Sequence, residues 1–253
     1  MKKIGNILLT AILLSVFSFN LAFADEIYPH AGDDRPANGT GDTTPAFAGP
    51  ASSKNNAVSP QSEPGTHLVT VFSEPSTIIV SIYNRDSTGK ETTYIGNTTV
   101  DFETYVKDVL PNEWYESWGS DGQAALEAGA LAVKTFGWFH VISWKKDPNH
   151  NANVSNGTNS QMYNKGSNQP NCNTAVNSMA NYVIGKVTFG NGTATGTIVE
   201  TPYRANQTTP GSIMGQYGTY TDAKNGLNAA QIVEKWYSNL GVDKWAKQVP
   251  VPN

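Results

Sequence analysis

The chain is poor in cysteine, in positive charge and in long apolar runs. One cysteine, Cys172, stands among 253 residues, so no disulfide can form within the chain and the fold must rest on its own core. No histidine stands at a recognisable spacing from it, which argues against a thiol nucleophile. Lys and Arg together number 17 against 21 Asp and Glu, and a weakly acidic chain of this kind is a poor partner for nucleic acid. The four histidines, His30, His67, His140 and His150, show no zinc-ligand spacing, so neither a metal nor any other cofactor is expected. The glycines between Gly211 and Gly218 follow neither the Walker nor the dinucleotide pattern, which leaves no phosphate cradle.

The one long apolar run, Ile4 to Phe23, follows Lys2 and Lys3 and ends in Ala22-Phe23-Ala24 before Asp25. That is the shape of a secretory signal peptide, residues 1–24, cut after Ala24. Losing Lys2 and Lys3 takes the formal charge from −4 to −6. No cysteine lies near the cut, which excludes a lipoprotein anchor. An uncleaved anchor is the alternative, since about 20 apolar residues can just span a bilayer. With cleavage, the protein is secreted and makes no stable membrane insertion. Residues 25–66, rich in Gly, Pro, Ser, Thr and Asn, read as a disordered linker with too little aliphatic surface to bury. Residues 67–253 are then long enough for a single domain.

Within that domain, LVTVF, TIIVSIYN and TTYIGNTTVDF are β-branched runs separated by turn residues, so two or three strands come first. Phe102, Tyr105, Val106, Val109 and Leu110 recur at helical spacing, with Asp101 as N-cap and Glu103, Lys107 and Asp108 facing away. Pro111 predicts that this helix stops at about Leu110. A second helix is predicted after Ser120, where Ser120 and Gln123 have capping-box spacing. It runs to about Trp144 with Glu127 and Lys134 as its only charges, the mark of a buried helix. Gly129 inside it implies a close neighbour. A short extended SQMY piece, a helix over 173–182, a hairpin around Gly190-Asn191-Gly192 and a helix from Ala229 to Leu240 complete an α+β pattern with a buried central helix and short antiparallel strands.

Between the first two helices lies PNEWYESW, which sets Glu113 among Trp114, Tyr115 and Trp118. Aromatic crowding strips water from a carboxylate and favours its protonated form, which suits a general acid. The plainer reading is a solvated loop residue beside rings that close the core. Glu116, three residues on, raises the thought of a paired-carboxylate glycosidase site, although two flexible loop neighbours explain it as well.

The order YVKDV, Glu113, Trp118 and ALEAGALAVKTFGW resembles the stage II sporulation protein D and amidase-enhancer family of bacterial cell-wall proteins. SQMY, the stretch from Ala175 to Ile184, MGQYGTYTDAKNG and AAQIVEKWY resemble later segments of the same family, so the likeness covers roughly residues 76 to 240. It implies action on peptidoglycan glycan strands at the cell wall by lytic transglycosylase chemistry. Glu113 would be the catalytic acid and base, with Trp114, Tyr115, Trp118, Gln216 and Tyr217 as substrate contacts. For Gln216 and Tyr217, packing and turn chemistry are the competing explanation. The chain departs from the family where Pro210 stands at about the place of a histidine, where the segment from Tyr203 to Met214 is short, and where Gly129 and Lys134 replace a glutamine and an arginine. The other branch of the resemblance is a non-catalytic wall-binding module that enhances a separate amidase.

Overall fold

The computed structural model describes residues 74–190, 193–240, 246 and 247, with 186–190, 193–196, 246 and 247 described by backbone alone. The expected signal peptide, the linker and the LVTVF run lie outside the described residues.

The β-branched run Thr77–Arg85 forms β1, which pairs antiparallel with β2, Glu91–Asp101, from Thr77↔Asp101 to Arg85↔Glu91. The register shifts between Ile82 and Tyr83 and again between Tyr83 and Arg85, so the end of β1 bends and re-aims Arg85. Strand β2 turns directly into α1, Phe102–Glu113. Asp101 caps that helix, accepting bonds from the Thr104 N–H (2.9 Å) and the Thr104 hydroxyl (2.8 Å). These bonds hold the Asp101 carboxyl below its ordinary value of 3.8. A carboxylate with a lowered folded value contributes stability above the unfolded value and loses it as pH falls through the folded one. Asp101→Ala should therefore cost about 1 kcal/mol at neutral pH and progressively less in acid. Urea midpoints of mutant and wild type that stay equally far apart in acid would contradict this.

Pro111 does not end α1, and the expected stop at Leu110 is corrected to Glu113. Proline removes one donor, but the turn that follows is held by its surroundings. Pro111, Asn112 and Glu113 are all buried, the Trp114 N–H donates to the Leu110 carbonyl (2.8 Å), and Asn112 Nδ2 donates to the Asp108 carbonyl (2.6 Å). Asp108 is also buried rather than facing away, because its carboxylate accepts the Gly166 N–H (2.9 Å).

A 3₁₀ turn, Glu116–Ser120, leads into α2, Gln123–Ile142. The expected capping box does not form: Gly122 is the N-cap, and the Ser120 hydroxyl donates to the Ser117 carbonyl (2.9 Å). The helix ends two residues before Trp144, which is 46% exposed. Its burial is as predicted: every residue from Ala128 to Trp138 is buried, and the residues that reach solvent lie towards its two ends. A Cβ on Gly129 would lie 2.6 Å from the Trp114 ring, so the close neighbour is that indole. Lys134 is buried, paired with Glu74 (2.9 Å) and donating to the Ala180 carbonyl (2.6 Å).

The chain then returns to the sheet as β3, Val154–Ser155, which lies parallel to β1 and gives the order β2-β1-β3. SQMY carries no strand. Helix α3, Pro170–Ser178, begins three residues earlier than expected, with Pro170 in its first turn, where no backbone donor is lost. Strand β4, Tyr182–Val183, precedes the predicted hairpin, β5, Gly185–Gly190, with β6, Thr193–Ile198. Strand β7, Tyr203–Arg204, pairs in parallel with β8, Met214–Gly215. Helix α4, Gln216–Lys224, replaces the glycine-rich turn that the sequence suggested. Helix α5, Ala229–Trp236, has a complete capping box from Asn228 and Gln231, and a 3₁₀ turn, Ser238–Leu240, follows. Strand β9, Ala246–Lys247, pairs with β4. Helix α2 sits at the centre, against α1, α3, α4 and α5, in a mixed α+β domain. Among the described residues, no helix is long and apolar enough to cross a membrane.

Candidate functional site around Glu113

Glu113 closes the last turn of α1, and its residue exposure is 0%. It is thus a helix residue inside the protein, not the loop residue its sequence neighbours suggested. Two segments distant in sequence meet its carboxylate. The Met162 N–H donates to Oε1 (2.8 Å), and Gln216 Nε2 donates to Oε2 (3.2 Å) and to the Glu113 carbonyl (2.8 Å). Gln216 opens α4 and is itself fully buried. Since Nε2 must face that carbonyl, the amide orientation is fixed and Oε1 is left as the acceptor, buried and, among the described residues, without a hydrogen-bond partner. A carboxylate offers about four lone-pair sites, so these two N–H bonds do not by themselves fill it.

Behind Glu113 lies a second polar layer. Gln161 accepts from the Tyr105 hydroxyl (2.6 Å) and donates to the Tyr203 hydroxyl (2.9 Å) and to the Val133 carbonyl (3.3 Å). Burial pushes both phenols well above their ordinary value, and the nearby Glu113 charge adds to the effect. Burial lowers the Arg85 guanidinium below its usual range, and the charges of Glu91 and Glu113 oppose that shift. A cation and two phenols therefore share the electrostatic surroundings of one carboxylate.

The expected substrate contacts divide into two groups. Trp114 and Trp118 are buried; Trp114 Nε1 donates to the Thr219 hydroxyl (3.0 Å), whose own proton goes to the Gln216 carbonyl (2.6 Å). Trp118 stacks on Tyr220, with ring centroids 4.6 Å apart. Tyr115 and Tyr217 are half-buried, and their hydroxyls are 3.3 Å apart. Glu113 itself, between these two groups, has no exposed surface. Glu116 is neither a flexible loop residue nor a second acid beside Glu113: it caps α3, accepting the Asn171 N–H (2.8 Å) and the Cys172 N–H (3.0 Å).

Reasoning from sequence missed Met162, Gln161 and Arg85. Met162 acts through its backbone, which leaves no side-chain signal. Gln161 falls within the SQMY piece, but its partners are far away in the chain.

The geometry thus joins the end of α1, the 160–163 segment and the start of α4 around one acid. Residues 90–185 match the family model of the stage II sporulation protein, SpoIID. This stretch is a SpoIID domain. The family is cell-wall and sporulation related, is associated with peptidoglycan, and includes lytic transglycosylases. The SpoIID match contains Glu113, Gln161 and Met162, whereas Arg85 and Gln216 lie outside it. No curated protein matches the chain significantly.

Proposed function

We propose that this protein cleaves peptidoglycan glycan strands outside the cell by lytic transglycosylase chemistry, with Glu113 as general acid and base. The observation that carries the reading is the carboxylate itself. A buried acid is expensive, and this one is held by the Met162 N–H and the Gln216 amide from separate parts of the chain, which is more than packing alone requires. Protonated Glu113 gives its proton to the glycosidic oxygen between N-acetylmuramic acid and N-acetylglucosamine, and the bond to C1 breaks with oxocarbenium character. Ionised Glu113 then takes the proton from the muramic acid 6-hydroxyl as that oxygen closes onto C1, which restores the acid and leaves a 1,6-anhydro end. The internal nucleophile removes the need for a second carboxylate, in keeping with Glu116 being occupied at α3. Tyr115 and Tyr217, the half-buried pair, are the sugar contacts nearest the surface. Access to Glu113 requires the first turn of α4 to open locally.

A second reading, a wall-binding enhancer of a separate amidase, is favoured by the complete burial of Glu113. Incubating the purified protein with sacculi separates the two. The expected result is release of muropeptides with 1,6-anhydro ends. Release of none, together with acceleration of an added amidase, would select the enhancer.

A further inference from the structure

The end of β1 holds a guanidinium that the Glu113 chemistry does not itself use. Arg85 is half-buried and, among the described residues, no carboxylate lies within salt-bridge distance of it. Its donors go instead to the segment that faces Glu113. One terminal nitrogen donates to the Asn156 carbonyl (2.7 Å) and lies 3.8 Å from Met162 Sδ. The other donates to the Asn164 side-chain carbonyl. Asn164 Nδ2 in turn donates to Asn112 Oδ1 (2.7 Å), one residue before Glu113. The guanidinium therefore grips the 156–164 segment at both ends and in its middle.

The rest of the β1–β2 hairpin reinforces that grip. The Ser155 hydroxyl donates to Glu91 Oε1 (2.7 Å), the Asn159 N–H points at the same carboxylate, and the Thr158 N–H donates to the Gly89 carbonyl (3.1 Å). Gly89 has φ +81°, and a Cβ there would lie 2.9 Å from the Met162 methyl carbon. Hairpin and segment are thus in tight contact where Met162 presents its N–H to Glu113.

We infer that Arg85 is a positioning residue for Glu113, fixing the 156–164 segment so that the Met162 N–H holds the carboxylate in one orientation. This inference rests on the reading of Glu113 as acid and base. The coupling of charge between Arg85 and Glu113 agrees with it. Arginine suits the task because its planar fork serves several acceptors at once; lysine keeps the charge but concentrates it at one point.

The test uses Arg85→Lys and, as a second cut in the same chain of bonds, Asn164→Ala. In both variants the exchange of the Met162 amide proton should quicken by about tenfold or more. Anhydro-muropeptide release should fall by about tenfold in kcat with KM changed less than about twofold, at an unchanged melting temperature. A merely structural role would instead lower the melting temperature and leave kcat per folded molecule as it was. Exchange at Met162 equal to wild type in both variants overturns the inference, and so does full kcat. An inactive wild type overturns the cleavage reading alone, because Met162 exchange then still decides the role of Arg85.

Discussion

Glu113→Gln should abolish most release of anhydro-muropeptides, lowering the rate by roughly 10²- to 10⁴-fold, the usual worth of a positioned general acid or base. Glutamine has nearly the same shape. Its carbonyl can still accept the Met162 N–H, but its amide would set a donor against Gln216 Nε2, which lies 3.2 Å from Glu113 Oε2. The side chain can then neither give a proton to a leaving oxygen nor take one from a hydroxyl. The mismatched buried donor should cost about 1–3 kcal/mol of stability, so activity is compared per folded molecule below the melting transition. Chromatographic rates on sacculi indistinguishable from wild type would remove Glu113 from the mechanism.

Trp114→Ala should destabilise the fold by about 3–5 kcal/mol, the range for truncating a large buried aromatic. The indole has no exposure and fills the space that Gly129 leaves on α2. It also spends its one donor on Thr219, so truncation leaves a hole and removes a hydrogen bond that ties α1 to α4. A drop in melting temperature of about 10 °C or more is expected for a domain of this size. A role as a direct sugar contact makes the opposite forecast: an unchanged melting curve with a raised KM. Thermal denaturation next to steady-state kinetics tells the two apart.

These two residues also show how far the sequence could be read. The central helix was legible because Glu127 and Lys134 are its only charges, and Gly129 announced a close contact whose partner the sequence could not name. The end of α1 was misread because Pro111 signals a stop on local grounds, while the buried turn after it is held by Asn112 and by packing. Helix α4 was hidden by Gly215 and Gly218, which lower local helical preference even though contacts to α2 and α5 favour the helix. The expected Ser120 cap lost to a 3₁₀ turn that delivers Glu116 to α3. As for the site, Glu113 could be picked out from its neighbours and from the family likeness. Its burial, the Met162 N–H and the Arg85 clamp depend on contacts between residues far apart in sequence, which leave no periodic trace.

Glu113 receives the Met162 N–H from 49 positions downstream and the Gln216 amide from 103 downstream. Before Gln216 and Thr219 come into place, the carboxylate lacks the amide that holds Oε2 and the Trp114 indole lacks its acceptor. Closing such long loops costs entropy before any bond repays it, and folds dominated by distant pairings assemble slowly. The surroundings of Glu113 are therefore among the last parts of the domain to close as it folds.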